Sequence, residues 1–173
     1  MEDYENMREF ARIDVSIPIK IHDIQVQDIE KLETEIIGDV DFSIHDMPEI
    51  LTGNEINQKL EEMNTKLNAI MNLLLLQQRG LSGLPEKLVN LSAGGIGFLS
   101  EISYNIGSFV GIKMILSISK SFVGIITHGE VIRCNKINGN YDIGIRFINM
   151  KDWHKDIIVR FVISKEREKR KRT

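Results

Sequence analysis

Between residues 12 and 24, apolar side chains fall on every second position: Ile13, Val15, Ile17, Ile19 and Ile21. A period of two predicts a strand buried on one face, with Pro18 marking an edge or a bulge. Between 54 and 79 the period changes. Ile56, Leu60, Met63, Leu67, Ile70 and Leu74 recur at alternating steps of four and three, the heptad seam of a helix. Asn54 is placed to cap that helix, and Gly80, Gly83 and Pro85 to stop it. Glu86 to Leu99, Val110 to Ser117, Phe122 to Cys134 and Tyr141 to Ile148 are then rich in Ile, Val and Phe, as strands are. Asn105-Ile106-Gly107 and Asn138-Gly139-Asn140 punctuate them, the second a strong hairpin signal. Short strands at this spacing predict a small barrel or sandwich. Asp152 to Arg172 predicts a final helix, capped by Asp152, with Trp153, Ile157, Ile158, Phe161, Val162 and Lys165 on one face. Residues 25 to 53 are acidic and mixed. Glu35 to Ile44 has some strand character, but the stretch reads best as a solvated connector.

Composition narrows the class. With 173 residues, 42% hydrophobic and 27% charged, the chain can bury one real core and carry an appendage. A net charge of −3 offers no whole-chain attraction to nucleic acid. The single cysteine, Cys134, rules out an intrachain disulfide and a cysteine-rich zinc site, and fits a reducing compartment. No signal peptide is visible, and the longest purely apolar run, Leu73 to Leu76, is far too short to span a bilayer. The expectation is a cytoplasmic protein. His22, His45, His128 and His154 lack metal-ligand spacing. No nucleophile elbow, P-loop or dinucleotide fingerprint is present, and Ser92 has no identifiable base. The reading is therefore not an enzyme, with no catalytic residues, metal or cofactor.

Two short pieces suit an anionic purine ligand. Arg8 and Arg12 form an R-x-x-x-R before the first strand. Guanidinium groups present forked donors to phosphate oxygens and the guanine O6/N7 edge, and stack flat on purines. The same spacing also fits two solvated arginines. Asn90, Ser92 and Gly95 form an N-x-S-x-x-G. Asn90 and Ser92, two apart on a strand, share one side and can bond a guanine edge and a phosphate. Leu91 and Ala93 face inward. Gly94-Gly95 leaves room for close approach of a ligand, or simply lets the strand bulge.

Together, in this order and ahead of a β-rich half, these pieces resemble the PilZ domain, a bacterial receptor for the second messenger cyclic di-GMP. Gly129-Glu130-Val131-Ile132-Arg133 and Tyr141-Asp142-Ile143-Gly144-Ile145-Arg146-Phe147 are similar to that family's outgoing and closing strands. The resemblance spans about residues 8 to 24 and 86 to 165. It implies a mainly β fold: a small PilZ-like barrel with an inserted heptad-patterned helix and a C-terminal helix. The segments would be 1–24 (arginine arm and first strand), 25–83 (connector and inserted helix), 84–150 (remaining strands) and 151–173 (C-terminal helix and basic tail). It also implies that Arg8, Arg12, Asn90, Ser92 and Gly95 bind cyclic di-GMP, ordering the arm against the barrel for an effector protein to read. The alternative is a PilZ-fold oligomeric scaffold that works through protein contacts without the nucleotide.

The helix seam carries its own implication. Leu60, Leu67 and Leu74 at a, with Ile56, Met63 and Ile70 at d, favour a trimer or tetramer over a dimer. A helix lying on its own barrel would need the same apolar stripe. The tail from Lys165 to Arg172 is basic but interleaved with Glu166 and Glu168, as a solvated helix end is. Nucleic-acid binding there would need an exposed aromatic platform beside it, and Trp153 and Phe161 both read as core.

Overall fold

The computed structural model describes residues 10–25, 29–38, 55–118 and 121–171. Seven strands and two long helices form in the order β1 (Ile13–Asp23), β2 (Glu35–Ile37), α1 (Glu55–Gln78), β3 (Glu86–Ser92), β4 (Gly95–Ser100), β5 (Phe109–Ile118), β6 (Ser121–Ile137), β7 (Asn140–Ile148) and α2 (Asp152–Lys171). Six strands close in the ring β6-β5-β1-β3-β4-β7, because β6 also pairs with β7, and β2 hangs on β6 outside the ring. Closure removes the barrel's open edges. All pairings are antiparallel.

The alternation in β1 does what its period predicts. Ile13, Ile17 and Ile19 are buried in a core shared with Val89, Leu91, Val110, Ile112, Met114, Val131, Ile143 and Ile145. Residues 13–18 pair with β3 and residues 19–23 with β5. Pro18, which has no N–H to donate, sits at this change of partner. The β6–β7 hairpin turns at Asn138 (φ 48°) and Gly139 (φ 85°), with Ile137 paired to Asn140. Positive φ at both central positions is the two-residue turn that Asn-Gly favours.

Two expectations change. The run from Glu86 to Leu99 is not one strand: β3 and β4 are joined by a tight turn at Ala93-Gly94, closed by Ser92 opposite Gly95. The stretch between 25 and 53 is not only a solvated connector. Glu35–Ile37 adds a strand to β6. Thr34 is buried with its hydroxyl 2.8 Å from that of Thr127, and Asn149 donates to the carbonyls of Ile29 and Leu32. Residues 39–54, including Asn54, lie outside the described residues.

α1 meets the barrel only at its C-terminal end. Gly80 (φ 67°) follows the last turn; its N–H donates to Gln77 O and that of Leu81 to Leu76 O, the reciprocal pair of a glycine-terminated helix. Leu76 and Leu81 pack with Ile37 in a second small core, and Asn72 donates to Phe122 O at 2.8 Å. The heptad seam stays out of both cores. Ile56, Leu60, Met63, Leu67, Ile70 and Leu74 are each 54–67% exposed. The helix, about 36 Å long, therefore does not lie on its own barrel.

α2 buries His154, Ile157, Ile158, Phe161 and Val162, in contact with β5, β3 and β1. Asp152 is its first residue and not its cap. Lys151 precedes it and donates its N–H to His154 Nδ1 at 3.2 Å, a capping-box arrangement with an imidazole as acceptor. Trp153 is not core: it is 54% exposed and its ring lies 3.7 Å from that of His154. One residue on from a buried position turns the side chain about 100° round the helix. It stands about 18 Å along the axis from Lys165, away from the basic tail. No helix among the described residues is long and apolar enough to cross a membrane, and none of their His, Cys, Asp and Glu side chains form a metal-holding group of three.

Burial holds the pKa of His154 below the ordinary histidine value, aided by Lys151. Burial also lowers His128, with His22 adding to the effect and Glu35 opposing it. The unfolded chain thus takes up protons that the folded chain refuses, so stability is full above the ordinary histidine pKa, about 6.5, and falls as pH drops below it. Thermal midpoints measured across that range should decline with acid. His154→Gln, which keeps an acceptor at the cap, should make the decline shallower.

Candidate ligand-binding site

The outer face of the wall β1-β3-β4-β7-β6 carries two rows of side chains at the groove, set by the strand register. The first row runs Asp14, Asn90, Gly97, Gly144, Arg133. The next runs Ser92, Gly95, Arg146, Glu130. Arg12 extends that second row: Ile13 is opposite Leu91, so one step further along the chain brings Arg12 across from Ser92. All of these positions except Asp14 and Glu130 line a groove of about 300 Å³, to which Phe10 and Ile132 also contribute.

Among the residues assigned from the motifs, Arg12, Asn90, Ser92 and Gly95 all line this groove. Arg8 lies outside the described residues. Asn90 donates its amide to Asp14 Oδ1 at 2.8 Å, which fixes the amide plane and leaves its oxygen for a groove occupant. Ser92 is more enclosed than an outward-facing hydroxyl on an open wall would be. It is 6% exposed and donates to Gly95 O at 3.3 Å, leaving its lone pairs as the free capacity. Gly95 owes its missing side chain to the barrel itself, since a Cβ there would collide with the carbonyl oxygen of Ile145 on β7. Phe10 folds over Gly94 and is in turn covered by Lys155 of α2, 5.8 Å from its ring centroid.

The far wall contributes residues outside the motif set. Arg146 pairs with Glu130 directly opposite. Arg133 is held by Asp142, Nε to Oδ2 at 2.8 Å and Nη2 to Oδ1 at 3.0 Å. Both arginines lie in the segments that resemble the family's outgoing and closing strands, but only the cross-strand register brings them to the groove. The arrangement has donors on two sides and a glycine floor. It suits a flat anionic ligand, and no nucleophile–base pair lines it.

A PilZ domain family model matches residues 71–164, more than half of the chain. The chain belongs to the PilZ domain family. The matched stretch begins inside α1, so β1 and Arg12 enter the PilZ barrel here through strand pairing. A solved structure from Xanthomonas campestris, described as a tetrameric PilZ domain self-assembled via an unusual helical bundle, superposes with a TM-score of 0.61. It covers 94% of this chain and 91% of its own, at 12% identity, a likeness of fold. No curated protein matches the chain.

Because the Ile145 carbonyl occupies the space beside Gly95, Gly95→Ala should destabilise the ligand-free barrel by about 1–3 kcal/mol. A lowered thermal midpoint without any nucleotide present is the expected result. An unchanged midpoint would show that the glycine is dispensable for the barrel.

Proposed function

We propose that this PilZ protein is a non-catalytic receptor for cyclic di-GMP that assembles through α1 and presents its ligand-bound surface to an effector protein. The observation that carries this reading is the β1–β3 pairing. Residues 13 to 89 separate the two halves of the motif, yet Arg12 lines the same groove as Asn90 and Ser92. β2 and the end of α1 attach to β6, and β3 still pairs with β1, which supports a groove shared by both motif halves.

Arg12, with Arg8 from the preceding arm, clamps phosphate and guanine through forked, charge-assisted donors. Asn90 and Ser92 orient a guanine and the sugar-phosphate, and Gly95 keeps the floor low. Binding favours the state in which the arm lies against the barrel, because only that state makes both sets of contacts. The effector reads the closed arm.

Self-association rests on the exposed seam. Burying a leucine, isoleucine or methionine gains roughly 1.5–3 kcal/mol each, and six such residues stand in heptad register on α1, each more than half exposed among the described residues. Leucine at a with isoleucine at d favours a trimer or tetramer, and the Xanthomonas PilZ structure is described as a tetramer built by a helical bundle. The rival reading, an oligomeric scaffold that does not bind nucleotide, draws support from the enclosure of Ser92, whose hydroxyl is already engaged.

Calorimetric titration with cyclic di-GMP separates the two. The receptor reading expects saturable binding that weakens about tenfold or more in Arg12→Ala, since a hydrogen bond to a charged group is worth about 1.5–3 kcal/mol. A folded protein that takes up no ligand supports the scaffold. Leu67→Asp places a carboxylate in the seam and should reduce the mass seen by light scattering to that of one chain. An unchanged mass would mean that α1 is not the assembly element.

A further inference from the structure

We propose that the outward stripe of α2 docks this protein on an anionic lipid surface. α2 buries His154, Ile157, Ile158, Phe161 and Val162 on one side. On the other side Trp153, Arg160, Ile163, Arg167, Arg170 and Lys171 are all exposed. With Asp156, the first five of them recur at steps of three and four, which puts them in one line along the helix. Lys171 stands beside Arg167, four residues on. From Trp153 to Lys171 the line is about 27 Å long.

Glu166 and Glu168 interrupt the cations of this tail in sequence, but the helix separates them in space. Glu168 pairs with Lys165 at 2.9 Å, and Lys165 lies over the ring of the buried Phe161, round the helix toward the barrel. Lys169 also turns to the barrel, donating to Asp14 O at 2.6 Å. Glu166 sits at the flank, partly buried. What remains on the stripe is four cations against one carboxylate, Asp156. None of Arg160, Arg167, Arg170 and Lys171 is ion-paired with another described residue. The whole chain carries a net charge of −3, so it meets a negative surface with this side first.

The apolar members of the stripe choose among anionic surfaces. Trp153 is 54% and Ile163 39% exposed. An indole, apolar in body and polar at its N–H, settles at the boundary between lipid headgroups and acyl chains. Arginines further along the same line reach headgroup phosphates in the same plane. A basic helix face with a tryptophan is the pattern of an interfacial helix. Nucleic acid would want the aromatic ring among the cations, to stack a base. Here Trp153 stands about 10 Å along the axis from Arg160 and about 21 Å from Arg167. With one tryptophan and one isoleucine to insert, the attachment is peripheral and reversible. It does not depend on nucleotide binding.

The test is sedimentation of the full chain with vesicles of phosphatidylglycerol and with vesicles of phosphatidylcholine, read together with tryptophan emission. Trp153 is the chain's single tryptophan and so reports on the stripe alone. The expected result is sedimentation with phosphatidylglycerol only, accompanied by a blue shift of the emission. Each cation near an anionic surface is worth about fivefold in partitioning, so the double substitution Arg167→Ala and Arg170→Ala should bind about 25-fold more weakly. Its thermal midpoint should stay unchanged, since both side chains are exposed. Equal sedimentation with both lipids, none with either, or no loss in the double variant would overturn the proposal. Sedimentation without the blue shift would also overturn it, by moving the contact to another surface. Retention of a single-stranded RNA oligonucleotide by the wild type, with no vesicle binding, would reassign the stripe to nucleic acid.

Discussion

Everything at the groove depends on six paired positions between β1 and β3, from Ile13 opposite Leu91 to Pro18 opposite Glu86. They are held by inward side chains, Ile13, Ile17, Val89 and Leu91, buried in one core. Strand pairing has no tolerance for half-steps: a slip of one residue would turn the isoleucines of β1 outward. The core therefore sets the register. The register in turn places Arg12 across from Ser92 and Asp14 across from Asn90. The ligand-facing geometry is a by-product of burial on the opposite face of the same strands.

That constraint explains how a long insertion is tolerated. Loop-closure entropy rises only slowly with loop length, so what matters is where the inserted chain leaves and returns. α1 is docked near its C-terminal end, through Leu76 and the following Leu81 over Ile37 and the Asn72 bond to Phe122 O. The groove lies on the wall away from that anchor, formed by β1, β3, β4, β7 and β6. One chain thus carries a ligand-shaped surface and an apolar helix seam without either covering the other. α2 ties back toward the groove through Lys155 over Phe10 and Lys169 donating to Asp14 O.

Much of this was legible in the residues, because local periodicity and core burial agreed. The two-residue period of β1, the heptads of α1, the Asn138-Gly139 turn and the apolar face of α2 are each decided within a few neighbouring positions. The parts that were not legible are decided at a distance. Glu35–Ile37 is a strand only because β6 offers a partner; three residues in an acidic stretch carry too little pattern alone. The Ala93-Gly94 turn sits in an apolar run that reads as continuous strand, and only the pairing of β4 with β7 explains Gly95. The bulge at Ile132, which turns Arg133 outward, has no composition of its own. Trp153 looked like core because the helical period places it near that face, but the first turn gives the buried position to His154.

The central claim is that the two motif halves act as one site. Hydrogen–deuterium exchange with and without cyclic di-GMP, resolved to the peptides around 10–14 and 88–97, measures this directly. One site built across β1 and β3 predicts added protection in both peptides at the same ligand concentration. Protection confined to one of them, or to neither while the nucleotide is bound, would contradict it.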